Sequence, residues 1–176
     1  MKRDIFNAID AQDAYEILKI MAKKDEDMAK IIEQVALDYL NEVDPEDVAA
    51  DVYSVLDNIP VEDVWHFSAD TRRGYVDSTQ ATWEIFEEAM EPFLAQLKKY
   101  QDLPLSKEAK SHCKGILEGL HKFGKESDSE YREWAEGCPG NYGAYVLKKW
   151  KEGVDDAKEI TEMEQFFEER FSEWHI

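Results

Sequence analysis

Apolar residues recur along this chain at the spacing of an amphipathic helix. The i, i+3, i+4 pattern runs from end to end, whereas alternation with a period of two is nearly absent. The first periodic segment follows Asp10, which is placed to cap it, and reaches about Lys23. Its predicted buried side comprises Ala14, Ile17, Leu18 and Met21. A second segment follows a turn at Lys24–Asp25, and its predicted inner side comprises Met28, Ile31, Ile32, Val35 and Tyr39.

Capping and turn residues divide the rest of the chain into further helices. Asp44-Pro45 opens one with proline in its first turn, and Asn58-Ile59-Pro60 ends it. A short helix is expected from Val61 to Phe67, and a long one from Ser78 to about Tyr100, in which Pro92 should cause a kink or a restart. Ser106 is expected to cap the next helix. Later segments are predicted at about 127–136, from a Gly-Cys-Pro-Gly turn to Trp150, and along a face with Met163, Phe166, Phe167, Phe171 and Trp174.

These segments predict an all-α protein of eight or nine helices. Short turns favour antiparallel pairing of consecutive helices, so we expect helical hairpins stacked as a bundle or as a short TPR/HEAT-like solenoid. No strict repeat period supports the solenoid on its own. The length of 176 residues fits a single all-helical domain over residues 1–176.

Composition and charge narrow the possible functions. Acidic residues outnumber basic ones 40 to 21, giving a net charge of -19, so direct nucleic-acid binding by the whole domain is not expected. No signal peptide is visible, and no apolar run is long enough to cross a bilayer. With only Cys113 and Cys138, we expect free thiols and a cytoplasmic location, with no membrane association.

Carboxylates provide the first candidate chemistry, because a di-metal site in a helical bundle needs several of them. Four glutamates share one stripe of the long helix at about 100° per residue: Glu84, Glu87, Glu88 and Glu91. That stripe lies opposite Phe86 and Met90, whereas di-metal bundles project their acids towards the core. A solvated stripe is therefore the better interpretation, and no metal ligand, catalytic residue or cofactor is assigned.

The irregular stretch Asp70-Thr-Arg-Arg-Gly-Tyr75 is the candidate binding site. Arg72 and Arg73 stand out in an acidic chain and suit bidentate recognition of a carboxylate or phosphate. Tyr75 is placed to stack on a ligand or donate a hydrogen bond to it. The competing interpretation is that the two arginines pair with acids of neighbouring helices and clamp the loop. The sequence leaves both open.

The stretch Ser111-His-Cys-Lys-Gly-Ile-Leu-Glu-Gly-Leu-His-Lys-Phe-Gly124 combines two histidines, a cysteine and glycines. On a helix His112 and His121 point to nearly opposite sides, so a shared zinc ion is not expected. Cys113 falls on the apolar face, and the glycines at 115 and 119 predict close approach of another helix. The lysines of this helix form a stripe that faces either an acidic partner or the acids of adjacent helices: Lys107, Lys110, Lys114 and Lys125.

Three stretches together resemble a known all-helical region. They are Thr71–Asp77, Ala81–Leu94 and Glu108–Leu120, and they resemble a region found beside SWIM-type zinc fingers in longer bacterial and archaeal proteins. The finger itself needs Cys-x-Cys followed by Cys-x-His, and this chain has neither, so zinc binding does not carry over. The resemblance implies a helical-repeat fold without established catalytic residues.

Two functions remain as hypotheses. The first is a cytoplasmic helical-repeat module that binds a protein partner in a groove between hairpins. The second is a metal-dependent hydrolase acting on a phosphorylated or nucleotide substrate, with Arg72 and Arg73 as anion binders. The absence of a catalytic motif favours the non-enzymatic function.

Overall fold

The computed structural model describes residues 8–67 and 78–174, and every regular element within those ranges is an α-helix. The all-α fold is therefore confirmed. The helices in chain order are α1 (Ala11–Lys24), α2 (Glu26–Leu40), α3 (Pro45–Asp57), α4 (Val61–Phe67), α5 (Ser78–Asp102), α6 (Ser106–Glu126), α7 (Glu130–Trp134), α8 (Cys138–Lys151) and α9 (Ala157–Arg170). They fall into two compact units, Met1–Glu42 and Val43–Ile176. The prediction of one domain stays a prediction.

The first unit is a helical hairpin formed by α1 and α2, which pack against each other. Asp10 caps α1 as predicted, since its carboxylate accepts a hydrogen bond from the Asp13 backbone N–H at 2.8 Å. In turn, the Asp13 carboxylate accepts a hydrogen bond from the Asp10 backbone N–H, which completes a capping box. Asp25 caps α2 through the backbone N–H groups of Asp27 and Met28. Side-chain caps therefore define the start of both helices, and Asp25 fixes the turn between them.

The predicted burial within this hairpin is wrong. Neither α1 nor α2 contains a buried residue, and Ile17 and Leu18, both predicted to be buried, are exposed. Even Ala14, Met21 and Ile32 are only partly covered. The reason is geometric, because two paired helices shield only the strip along which they touch.

The second unit is a bundle centred on α6. Helices α3, α5 and α8 each pack against α6, and α3 makes the most extensive contact. The main packing thus joins helices that are far apart in the sequence, which fits the bundle alternative better than a solenoid of sequential neighbours. Helix α6 supplies apolar residues to this core along most of its length: Ala109, Cys113, Ile116, Leu117, Leu120 and Phe123.

The α3–α6 contact depends on two glycines, as the sequence predicted. A Cβ atom at Gly115 would lie 2.6 Å from Val48 Cβ and 2.7 Å from the backbone oxygen of Pro45. One turn later, a Cβ at Gly119 would lie 2.6 Å from Val52 Cβ. Only residues without a side chain allow the two backbones to approach this closely.

Aromatic side chains fill the space between α5, α6 and α8. The ring of Phe86 lies edge-on to Tyr142, with centroids 5.5 Å apart, and also contacts Phe123. Tyr131 of α7 is fully buried, and its hydroxyl donates a 2.9 Å hydrogen bond to the backbone oxygen of Thr82. This bond satisfies the one polar atom of a side chain that otherwise serves as apolar core.

Several helix boundaries differ from the predictions. Ser106 is the first residue of α6 rather than its cap, and the N-cap position is held by Leu105 without a side-chain hydrogen bond. The expected Gly-Cys-Pro-Gly turn instead becomes the first turn of α8, and only Gly137 is left outside, at φ 82°. Helix α7 is shorter than the predicted segment, and α5 continues through Pro92 without restarting.

Candidate functional site

The predicted binding residues Arg72, Arg73 and Tyr75 lie outside the described residues. Their role as an anion site, and the competing role of the arginines as a structural clamp, both stay predictions. The other candidate groups of the sequence lie within the described residues: the histidines and cysteine of α6, Cys138, the carboxylates of α5 and the lysines of α6.

The histidines and the cysteine of α6 occupy separate environments, as predicted. His112 is buried, and its Nε2–H donates a 3.0 Å hydrogen bond to the backbone oxygen of Phe93. Cys113 is fully buried, and burial raises the pKa of its thiol. His121 is instead 2.5 Å from the carboxylate of Glu173. These three groups do not converge on a common ligand.

Cys138 is also a poor nucleophile. It is buried and lies in the first turn of α8, whereas the sequence placed it in a turn before that helix. Burial raises the pKa of its thiol to about 11, so almost all of it is protonated at neutral pH. Both cysteines are free thiols.

The carboxylate stripe of α5 faces solvent, as expected. Glu87, Glu88 and Glu91 are exposed and Glu84 is half-buried, while Phe86 and Met90 on the opposite side are fully buried. Within residues 8–67 and 78–174, no group of three or more histidine, cysteine, aspartate or glutamate side chains is arranged to hold a metal ion. The acids of α5 therefore form a hydrated surface.

The lysine stripe of α6 contacts the C-terminal part of the chain. Lys110 forms a 2.9 Å ion pair with Glu162 of α9, and Lys125 forms a 3.2 Å ion pair with Glu173. Lys114 lies over the ring of Phe166, 4.5 Å from its centroid. Three of the four lysines thus meet neighbouring groups of the same chain, which supports the second interpretation of this stripe.

A cleft of about 540 Å³ lies between α6, α7, the start of α8 and the segment after α9. Its lining includes His121, Lys125, Arg132, Glu173 and Trp174. Its cationic groups are, however, engaged: His121 and Lys125 contact Glu173, and Arg132 donates to the backbone oxygen of Ser127.

Glu173 is the centre of this polar cluster. A hydrogen bond from its own backbone N–H, together with His121 and Lys125, lowers the pKa of the carboxyl to about 2. A carboxylate with so low a pKa is a weak base, so it is poorly suited to general-base chemistry near neutral pH. The cluster fastens the C-terminal segment to α6, and we assign it a structural role.

The least expected feature of the structure is an apolar surface on the first unit. Ile31, Val35 and Tyr39 follow one another at intervals of four residues on α2, so they form a single row, here called the exposed row. Their relative exposures are 57%, 61% and 82%. On α1, Ile20 is 55% exposed, and Tyr15 is equally open. Contiguous exposed apolar surface of this kind marks interaction sites.

Sequence reasoning found these residues but assigned them to the wrong environment. Periodicity identifies the apolar side of a helix but does not say whether anything covers it. One signal was present: the apolar positions from Ile31 to Leu40 span about two thirds of the circumference of α2, more than one neighbouring helix covers. A two-helix unit with such a wide apolar arc must leave part of it open.

Comparison with known proteins adds no functional assignment. No family model matches the chain, and no curated protein or solved structure is significantly similar to it. The resemblance to regions beside SWIM-type zinc fingers therefore stays a prediction. Among the helices of the described residues, none is long and apolar enough to span a membrane. The molecule is defined by its fold as an all-α bundle together with a helical hairpin.

Proposed function

We propose that this protein is a cytoplasmic protein–protein interaction module that binds its partner through the exposed row of α2. The observation that carries the proposal is the exposure of Ile31, Val35 and Tyr39 on a helix that contains no buried residue. The proposed surface is one face of a hairpin, in place of the groove between stacked hairpins that the sequence suggested.

The energetic argument concerns the cost of leaving such side chains in water. Complete burial of one large aliphatic or aromatic side chain is worth about 1.5–3 kcal/mol. Three neighbours at i, i+4 and i+8 can be covered together by one partner helix. A partner that covers the exposed row would therefore gain several kcal/mol before the costs of association.

The charge of the chain limits the chemistry of the partner. At a net charge of -19, the molecule repels nucleic-acid phosphates, so a protein partner fits better. A reducing compartment suits the two free cysteines, and on this ground we place the module in the cytoplasm. The hydrolase alternative depends on Arg72 and Arg73, which lie outside the described residues.

Site-specific photocrosslinking in cells tests the proposal. A photoreactive amino acid replaces Val35 in one variant and Lys30 in another. Lys30 lies on the same helix, about 140° around from Val35. We expect covalent protein adducts at Val35 and none above background at Lys30. Equal labelling at the two positions, or no adduct at either, would refute the proposal.

A further inference from the structure

We propose that the partner segment of the exposed row is a basic amphipathic helix, with apolar side chains along one face and lysine or arginine residues beside them. This inference rests on the proposed function and names the chemistry of the partner at the same surface. Two features of α2 carry it: the acidic residues that border the exposed row, and the excess of acids on this helix.

Two exposed aspartates of α2 lie next to the exposed row. Asp27 is four residues before Ile31, and Asp38 is three residues after Val35. Side chains at these spacings are neighbours on the surface of a helix. At about 100° per residue both aspartates fall on the same side of the row, and together they are here called the acidic edge. A partner that covers the row brings its own flanking residues against this edge.

The charge of the acidic edge is only weakly compensated by the described residues. Among them, the partner of the Asp38 carboxylate is the neutral side-chain amide of Gln34, at 2.7 Å. The ammonium group of Lys30 lies 4.0 Å from Asp27 but only 3.0 Å from Glu26, so it pairs mainly with Glu26. The acidic edge can therefore pair with a lysine or arginine of a partner.

The excess of acids within the hairpin belongs to α2. This helix carries four acids against one lysine, whereas α1 carries three lysines against two acids. A basic partner is thus drawn to α2 rather than to α1. The net charge of -19 acts in the same direction over a longer range, because complementary charge speeds association and disfavours partners of like charge.

The same charges oppose two other classes of occupant. A second copy paired through the row would set an acidic helix against an identical one, and like charges across an interface are unfavourable. An anionic bilayer is disfavoured as well, since helices that lie on such membranes present lysine and arginine on their polar face. A basic helix gains from both the apolar contact and the charges.

The spacing of the row sets the form of the partner. From Ile31 to Tyr39 the row is about 12 Å long, at 1.5 Å per residue. A partner helix of a few turns covers this length with apolar residues at intervals of three or four positions. Its lysines or arginines, next to that apolar face, then lie within reach of the acidic edge.

Three synthetic peptides and the purified full chain test the inference. The basic peptide has leucines at i, i+4 and i+8 with lysines beside them, the acidic peptide has glutamates in place of the lysines, and the scrambled peptide has the basic composition without an apolar face. Fluorescence anisotropy gives each dissociation constant. We expect the basic peptide to bind at least tenfold more tightly than either of the others. Equal affinities, or no binding of the basic peptide up to about 500 µM, would overturn the inference.

Charge reversals on α2 locate the contact. Asp38→Lys should weaken binding of the basic peptide at least fivefold and strengthen binding of the acidic peptide, a gain that a poorly folded variant would not show. Glu33→Lys is the matched control, because it is an exposed position about 160° around α2 from Val35 and changes the charge equally. It should leave both affinities near those of the wild type. Equal effects of the two reversals would reflect attraction to the whole chain and would refute the acidic edge.

Failure of this inference can be told apart from failure of the proposed function. Adducts at Val35 in cells, with no preference of the purified chain for the basic peptide, would refute the basic partner and leave the interaction module standing. Absence of adducts at Val35 would refute the module itself. Sedimentation of the wild type, but not of Val35→Asp, with phosphatidylserine vesicles would assign the row to a membrane and overturn the inference.

Discussion

Gly119 of α6 lies so close to Val52 of α3 that a Cβ atom at position 119 would be 2.6 Å from the valine Cβ. The Cβ atom at position 119 would also lie 2.7 Å from the backbone oxygen of Ala49, which cannot rotate away as a side chain can. We therefore predict that Gly119→Ala destabilises the protein by about 1–3 kcal/mol through overpacking. Alanine's higher helix propensity, worth about 1 kcal/mol, should offset this only in part. Chemical denaturation gives the change in free energy of unfolding.

Gly124 of the same helix is the matched control for this prediction. A Cβ atom there would first meet Pro139 Cγ at 3.5 Å, an ordinary contact. Gly124→Ala should thus be neutral or stabilise the protein by up to about 1 kcal/mol. If the two substitutions had the same effect, the close approach of α3 and α6 would be disproved.

The two thiols should be nearly inert in the folded protein. Cys113 is completely buried with a raised pKa, and burial raises the pKa of Cys138 to about 11. We predict slow reaction of both with dithiodipyridine at pH 7.5, and fast reaction of both in denaturant. The measurement is the absorbance time course under the two conditions. Rapid labelling of one thiol in the native protein would reveal an accessible cysteine and contradict this burial.

His112 should make the protein less stable as the pH falls below about 6.5. Burial lowers the pKa of His112, and the hydrogen bond to Phe93 opposes this shift only in part. Between the lowered folded pKa and the unfolded value, the unfolded chain binds more protons, so stability rises with pH in that window. Unfolding free energies at pH 5–8 should show a steeper loss for the wild type than for His112→Gln. Parallel profiles would contradict the prediction.

Glu173 should contribute stability at neutral pH that disappears in acid. Its pKa is held at about 2, so the contribution is complete above the unfolded value of about 4.3 and is lost as the pH falls towards 2. Glu173→Gln should therefore be less stable than the wild type at pH 7, and the difference should shrink between pH 5 and pH 2. Glu169→Gln, at an exposed position of α9, is the control. The readout is the midpoint of thermal unfolding.

Sequence reasoning recovered the parts of the fold that local patterns determine. The caps Asp10 and Asp44, the apolar position of Cys113 and the close contact at Gly115 all follow from residue type and helical spacing. The exposure of Val35 could not be predicted, because periodicity is the same on a covered and an uncovered face. Tertiary packing decides that difference, and it depends on residues elsewhere in the chain.

The start of α8 shows a second limit of local patterns. Gly137, Cys138 and Pro139 have the composition of a turn, yet the helix begins at Cys138 because proline is well suited to the first turn of a helix.

The arrangement around Glu173 could not be predicted from the sequence either. Its partner His121 lies on a different element and far away in sequence, so no short motif links them.

The contact between α3 and α6 has a consequence for the order of folding. Helices α4 and α5 separate these two partners along the chain, so their contact has high sequence separation for a helical protein. Loops of this length must close before the contact forms, and folding rates fall as such contacts come to dominate. During synthesis, the face of α3 that contains Val52 stays without its main partner until α6 has left the ribosome. A nascent chain that ends before Ser106 therefore exposes an apolar helix face that the finished fold covers.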